Sequence, residues 1–255
     1  MVGTYNPALV LLSILVAIFV SYTALSLAAR VARAKDSSDN TGLWVVGGAL
    51  AMGCGIWSMH FIGMLAFSLP IPLTYDIGLT VASLVIAIAI AGFALSVASN
   101  PEISVLQLSI SALIMGAGIS AMHYSGMAAV DLVPMITYEP VLFTLSIVIA
   151  VAASFAALWL FFHLRNGNSM TMRLARVGAA FAMGFAISGM HYTGMAASRF
   201  SARSICTGTA NINSGSLAVT TGIIAFVVLA ITTLFLVVDA RRAAAAAAVR
   251  KRVSA

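Results

Sequence analysis

Charge is nearly missing from this chain. Of its 255 residues 8% are charged, 62% belong to the hydrophobic set, and the mean hydropathy is +1.07. A soluble domain carries about 25% charged residues, so an ordinary soluble enzyme is excluded. Cysteine is scarce as well: two residues cannot build a disulfide framework, and cysteine usage leaves the redox compartment open. Residues 1–29 lack a basic leading segment and a small-residue cleavage site, which favours a retained helix over a signal peptide. The formal charge of +6 is arranged in a way that speaks for topology and against nucleic-acid binding. The composition is that of an integral membrane protein.

What is present is a series of long uncharged runs. They fall at 7–29, 43–69, 77–99, 103–130, 141–164, 177–198 and 217–238, each long enough to cross a hydrocarbon core of about 30 Å as a helix. Pro70 and Pro72, Asn100-Pro101, Asp131 to Pro140 and Arg165 to Arg176 mark the breaks. The fold class expected is an all-α membrane protein of seven transmembrane helices. Seven crossings place the termini on opposite sides. With the C-terminus inside, eleven of the 13 basic residues are cytoplasmic: Arg30, Arg33, Lys35, Arg165, Arg173, Arg176, Arg241, Arg242, Arg250, Lys251 and Arg252. Only Arg199 and Arg203 lie outside, together with the acidic Asp76, Asp131 and Glu139. The asymmetry gives N-terminus outside, C-terminus cytoplasmic. Residues 1–240 form the membrane domain and 241–255 a short basic tail that touches anionic lipid heads. The alanine run 243–248 extends the last helix a few turns into the cytoplasm.

One pattern occurs three times: MGCGIWSMHFIGM at 52–64, MGAGISAMHYSGM at 115–127 and MGFAISGMHYTGM at 183–195. The shared form is M-G-x-(G/A)-I-x-x-M-H-(F/Y)-x-G-M, with copies 63 and 68 residues apart. That period equals two membrane helices and two loops, so the copies lie on helices 2, 4 and 6, which run in parallel. Parallel repeats about an axis along the membrane normal bring equivalent side chains to one depth. Three of the four histidines (His60, His123, His191) and nine of the 13 methionines belong to the pattern. With His at zero, the Met four later falls at about +40°, the Met before at −100° and the Met eight before at −80°. The glycines seven before and three after fall at about +20° and −60°. One face of each helix carries everything that repeats.

Gly and Met on a helical face can be packing alone. Three imidazoles at one depth ask for more, because ionisable side chains within spans are costly and face a bundle interior with a partner. At about 1.5 Å per residue, the histidines are expected roughly 12–15 Å below the outer ends of their helices. Thioethers favour Cu(I), and imidazole suits copper, zinc and iron. The repeat has no carboxylate, which disfavours magnesium, calcium and a di-iron centre. Copper ranks first and haem with His or Met axial ligands second. His and the Met at i+4 lie about 40° apart and roughly 6 Å along the axis, so both can approach one ion. The ligand pairs are therefore His60/Met64, His123/Met127 and His191/Met195, with Met59, Met122 and Met190 as alternates. Tyr124, Tyr192, Ser120 and Ser188 are expected as hydrogen-bond partners around the site. The first copy has Phe61 and Trp57 at those places, which makes the three copies inequivalent.

The tripled M-H-aromatic-x-G-M, at 59–64, 122–127 and 190–195, resembles the MHYT family of bacterial seven-helix membrane sensor domains. The family tetrapeptide stands here as Met190-His191-Tyr192-Thr193, with MHFI and MHYS as the other two copies. The resemblance runs to about residue 240. It implies copper held by the motif His and Met, and sensing of oxygen, carbon monoxide or nitric oxide. It also implies a signal passed to a cytoplasmic output module for cyclic-di-GMP turnover, phosphorylation or DNA binding. The sequence runs about 15 residues past the last span, so the expectation is a non-enzymatic sensor in the bacterial inner membrane that works through a separate cytoplasmic output protein. Two readings compete with it: a membrane copper conduit using the methionine ladder, and a haem-bearing redox subunit.

Overall fold

A computed structural model describes residues 3–36, 41–165, 170–206 and 212–253. Its seven helices are α1 (Pro7–Asp36), α2 (Thr41–Leu65), α3 (Ile77–Ala98), α4 (Val105–Ala128), α5 (Pro140–Leu164), α6 (Met170–Ala197) and α7 (Ser214–Val253). All seven are long and apolar enough to cross a membrane. Several boundaries differ from the expected runs, α1 for example continuing to Asp36, and two of the differences have a local cause. The second apolar run continues to residue 69, but the helix stops at Leu65 because Phe67–Ser68 pairs as a strand. At the other end α6 starts at Met170, ahead of the expected 177, and takes in Arg173 and Arg176. Arg176 tolerates burial there because its guanidinium donates to the Leu164 and Arg165 carbonyls at the end of α5. The alanine run continues α7 to Val253; its 40 residues make it about 60 Å long, twice the hydrocarbon thickness.

Helices α1 to α6 form a closed ring in sequence order, α6 returning to α1, and α7 packs outside it against α2. Glycines stand where the helix backbones approach most closely. A Cβ on Gly53 would stand 2.5 Å from the Ile88 backbone of α3, one on Gly116 2.7 Å from Val151 of α5, and one on Gly184 2.7 Å from Ile18 of α1. These are the glycines seven before each histidine, and they let each even helix lie directly on the backbone of an odd one. Leu25, Leu95, Leu158 and Phe161 fill the core, while other large apolar side chains point away from the bundle: Val105 is 75% and Phe226 72% exposed, as lipid-facing residues are.

At one end the chain forms four two-stranded ribbons: β1 (Thr4–Tyr5) with β2 (Phe67–Ser68), β3 (Thr74–Tyr75) with β8 (Ile212–Asn213), β4 (Leu132–Val133) with β7 (Ile205–Cys206), and β5 (Thr137–Tyr138) with β6 (Ser198–Arg199). We call this the ribbon end; the charge asymmetry would place it outside. Here Asn6, Asp76 and Glu139 each do two jobs. Their side chains accept the first free N–H groups of α1, α3 and α5, the usual remedy for unpaired helix donors. Their own N–H groups donate to the Ala66, Ala129 and Ala197 carbonyls, six residues past each motif histidine, at 2.7–2.8 Å. Each even helix is thus tied to the start of an odd one.

Candidate metal centre

The structure brings His60, His123 and His191 together on the bundle axis. All three are fully buried, and one nitrogen from each lies within 4.8 Å of the others. Nδ1 of His60 is 3.2 Å from Nδ1 of His191 and 3.2 Å from Nδ1 of His123. The rings stand nearly perpendicular, with centroids 4.9, 5.1 and 5.2 Å apart, as blades of a three-bladed propeller. The triangle sits five residues from the ends of α2 and α4 and six from the end of α6. That is about 8–9 Å of helix, nearer the surface than expected because the helices end before the apolar runs do.

The outward nitrogens are walled in. A Cβ on Gly63 would fall 2.3 Å from Nε2 of His191, one on Gly126 2.3 Å from Nε2 of His60, and one on Gly194 2.3 Å from Nε2 of His123. Each imidazole therefore seats on the glycine three residues past the histidine of the next helix, α6 on α2, α2 on α4, α4 on α6. None of the three Nε2 atoms has a hydrogen-bond partner. Backbone occupies the space beside Nε2, so Nδ1 is the nitrogen left to face a ligand.

The methionines fall in layers. Met64, Met127 and Met195 share one apolar cluster with Phe61 and Tyr75 toward the ribbon end. Met122 belongs to that cluster too, whereas Met59 packs with Val16, Val20 and Ala225 between α1 and α7, and Met190 is buried elsewhere. The alternates are thus not equivalent by threefold symmetry. Tyr75 plugs the ribbon end; burial pushes its hydroxyl pKa up to about 12, which keeps it neutral.

The expected polar partners go elsewhere. Tyr124 and Tyr192 touch the neighbouring imidazoles edge-on, but their hydroxyls meet Ser146 and Ser13, each at 2.6 Å. A residue one place after His points about 100° round the helix, at the adjacent odd helix and not at the axis. Ser120 turns back to the Gly116 carbonyl, and Ser188 is buried without a partner. In the first copy Trp57 supplies the bond that Phe61 cannot, its indole N–H donating to Ser83 Oγ at 3.0 Å. The anchor is therefore threefold even where the sequence is not. Reading the repeat alone missed Ser13, Ser83 and Ser146. Thr-Tyr followed by Asn6, Asp76 or Glu139, with serine seven residues on, is the signal that marks them.

Three buried imidazoles closing one axis inside a seven-helix membrane bundle define a membrane domain built around a three-histidine centre. The family model for MHYT, described as a bacterial signalling protein N-terminal repeat, matches residues 1–37, 53–111, 116–173 and 184–249. The chain belongs to the MHYT family, as a multi-pass protein of the bacterial inner membrane. It is 51% identical over 94% of its length to the bifunctional diguanylate cyclase/cyclic di-GMP phosphodiesterase MucR of Pseudomonas aeruginosa, covering 35% of that protein. It is 42% identical to the cyclic di-GMP phosphodiesterase NbdA of the same organism, over 76% of this chain and 24% of NbdA. The signaling protein YkoW of Bacillus subtilis is also 42% identical, over 77% of this chain and 24% of YkoW. The chain therefore spans about a third or less of these relatives. No solved structure matches it.

Proposed function

We propose that this domain is a non-enzymatic sensor, that its three imidazoles hold a copper ion, and that it answers to a small diatomic gas or to redox state. The observation that carries the reading is that Nδ1 of His60 stands 3.2 Å from Nδ1 of both His123 and His191, with the three ligand nitrogens within 4.8 Å of one another. Three nitrogens each about 2.0 Å from one ion, on the face of a tetrahedron, stand about 3.3 Å apart. Neutral imidazoles give a poor alternative, since each Nδ1 either donates or accepts and His60 must serve two neighbours. His60, His123 and His191 would be the nitrogen ligands, with Met64, Met127 and Met195 as the thioethers on the ribbon side. When bound, copper supplies a redox-active centre open to small ligands. The chain's own part is to hold three imidazoles rigidly, in the dry, through glycine seats and serine-anchored neighbours.

Rings only 4.9–5.2 Å apart leave no room between them for a macrocycle, so a bare ion fits this centre better than haem. A copper conduit is the second reading, because Met52, Met115 and Met183 lie on one side of the triad and Met64, Met127 and Met195 on the other. Vesicle uptake of labelled copper separates the two: a sensor accumulates none. The names of the relatives point to cyclic di-GMP as the output. We infer that the signal leaves through α7 toward a cytoplasmic output module, in the same polypeptide or as a separate protein, with the C-terminus inside. X-ray absorption of copper-loaded protein tests the site directly. Three nitrogen neighbours near 2.0 Å are expected; a shell of sulfur alone would remove the triad from the reading.

A further inference from the structure

On the side of the triad away from the ribbon end lies a cavity of about 50 Å³. Its wall repeats three times: Ile56, Ile119 and Ile187 come one turn before each histidine, and Met52, Met115 and Met183 two turns before. The cavity thus sits on the axis, about 6–12 Å along the helices from the imidazoles. Among the described residues its only side-chain hydroxyls are Ser21 and Ser154, and both protons are committed, to the Ala17 carbonyl at 2.8 Å and the Ala150 carbonyl at 2.7 Å. Water in such a space would find no side-chain donor and only two hydroxyl oxygens to donate to, the bare minimum of the two to four polar partners that hold a water. Cavities lined this way stay dry and take up apolar atoms such as xenon. The volume exceeds the 10–15 Å³ that one water needs by a few fold, enough for two heavy atoms and too little for an organic ligand. Methionine walls adapt to an occupant without rebuilding the bundle.

We propose that this cavity is a binding site for one small apolar gas molecule of diatomic size, held on the axis one helical turn from the three-histidine centre. The proposal deepens the sensing function above and rests on that reading for its purpose, but not for its chemistry: the cavity needs no metal to be occupied. Entry of a gas loads the isoleucine layer that separates the cavity from the imidazoles.

Xenon is the probe. Purified full chain in lipid nanodiscs, without copper, is titrated with xenon under ¹²⁹Xe NMR. Wild type is expected to show saturable binding above the linear partition of xenon into lipid. Ala157→Leu, which pushes a side chain into the cavity, should weaken that binding at least tenfold; Ala24→Val is the milder filler should the first variant fail to fold. Gly189→Ala, on the same bundle with nothing near its added carbon, should bind as wild type does. Linear uptake by wild type, or undiminished saturable binding in a folded filler variant, overturns the proposal. Copper retention measured on the same preparations keeps the two readings apart. Saturable xenon binding without copper retention sinks the copper reading alone, and copper retention without saturable xenon binding sinks the cavity alone.

Discussion

His191 rests on Gly63. An added Cβ at Gly63 would stand 2.3 Å from Nε2 of the imidazole, and the relationship recurs as His60 on Gly126 and His123 on Gly194. The glycine of the motif is the seat of the next histidine, which explains why the two residue types travel together three residues apart. Gly63→Ala, Gly126→Ala or Gly194→Ala should each displace one ring and cost about 1–3 kcal/mol as an overpacked core does. Copper content and thermal unfolding in detergent should fall together in these variants, while Gly189→Ala, with open space at its Cβ, changes neither.

The hydroxyl of Tyr192 holds α6 to Ser13 of α1 at 2.6 Å. Tyr192→Phe and Ser13→Ala should each destabilise by about 0.5–1 kcal/mol, the range for a hydrogen bond between membrane helices. Combined, they should cost little more than either alone. Strict additivity in a double-mutant cycle would mean the pair is not coupled.

At the ribbon end the Glu139 carboxylate accepts the N–H groups of Leu142 at 2.8 Å and Val141 at 3.1 Å. The Leu142 and then the Val141 N–H hold its pKa below the ordinary value. A carboxyl lowered by folding stabilises the fold above its unfolded value of about 4.3, and that contribution fades as the pH falls through the lowered one. Wild type should therefore unfold at higher temperature than Glu139→Gln at neutral pH, and the gap should narrow below about pH 4. A gap that stays constant down to strongly acid pH would mean the cap acts without its charge.

The basic residues predict that a reporter enzyme active only in the periplasm stays silent when fused after Ala255. Activity from that fusion would reverse the orientation.

The helices and the triad were legible because both signals are periodic: apolar runs long enough to cross the membrane, and a thirteen-residue pattern that puts three imidazoles at one register. Where helices end was not, since Phe67 and Ser68 are apolar or neutral and only their pairing with Thr4 and Tyr5 makes them strand. The polar anchors were missed because Tyr124 and Tyr192 were read along their own helices, whereas their partners Ser146 and Ser13 lie 22 and 179 residues away in sequence. Trp57 shows the limit of motif reading: the copy that departs from the pattern makes the same bond to Ser83 from a different position on the helix.

The central claim is that His60, His123 and His191 together hold copper. The most direct measurement is copper per chain, by elemental analysis, in protein purified from copper-supplied cells, for wild type and for the variant with all three changed to Ala. Both are first shown to sit in the membrane and to unfold cooperatively. Retained copper in wild type and its loss in the triple variant is the predicted result; equal retention by the two would contradict the account.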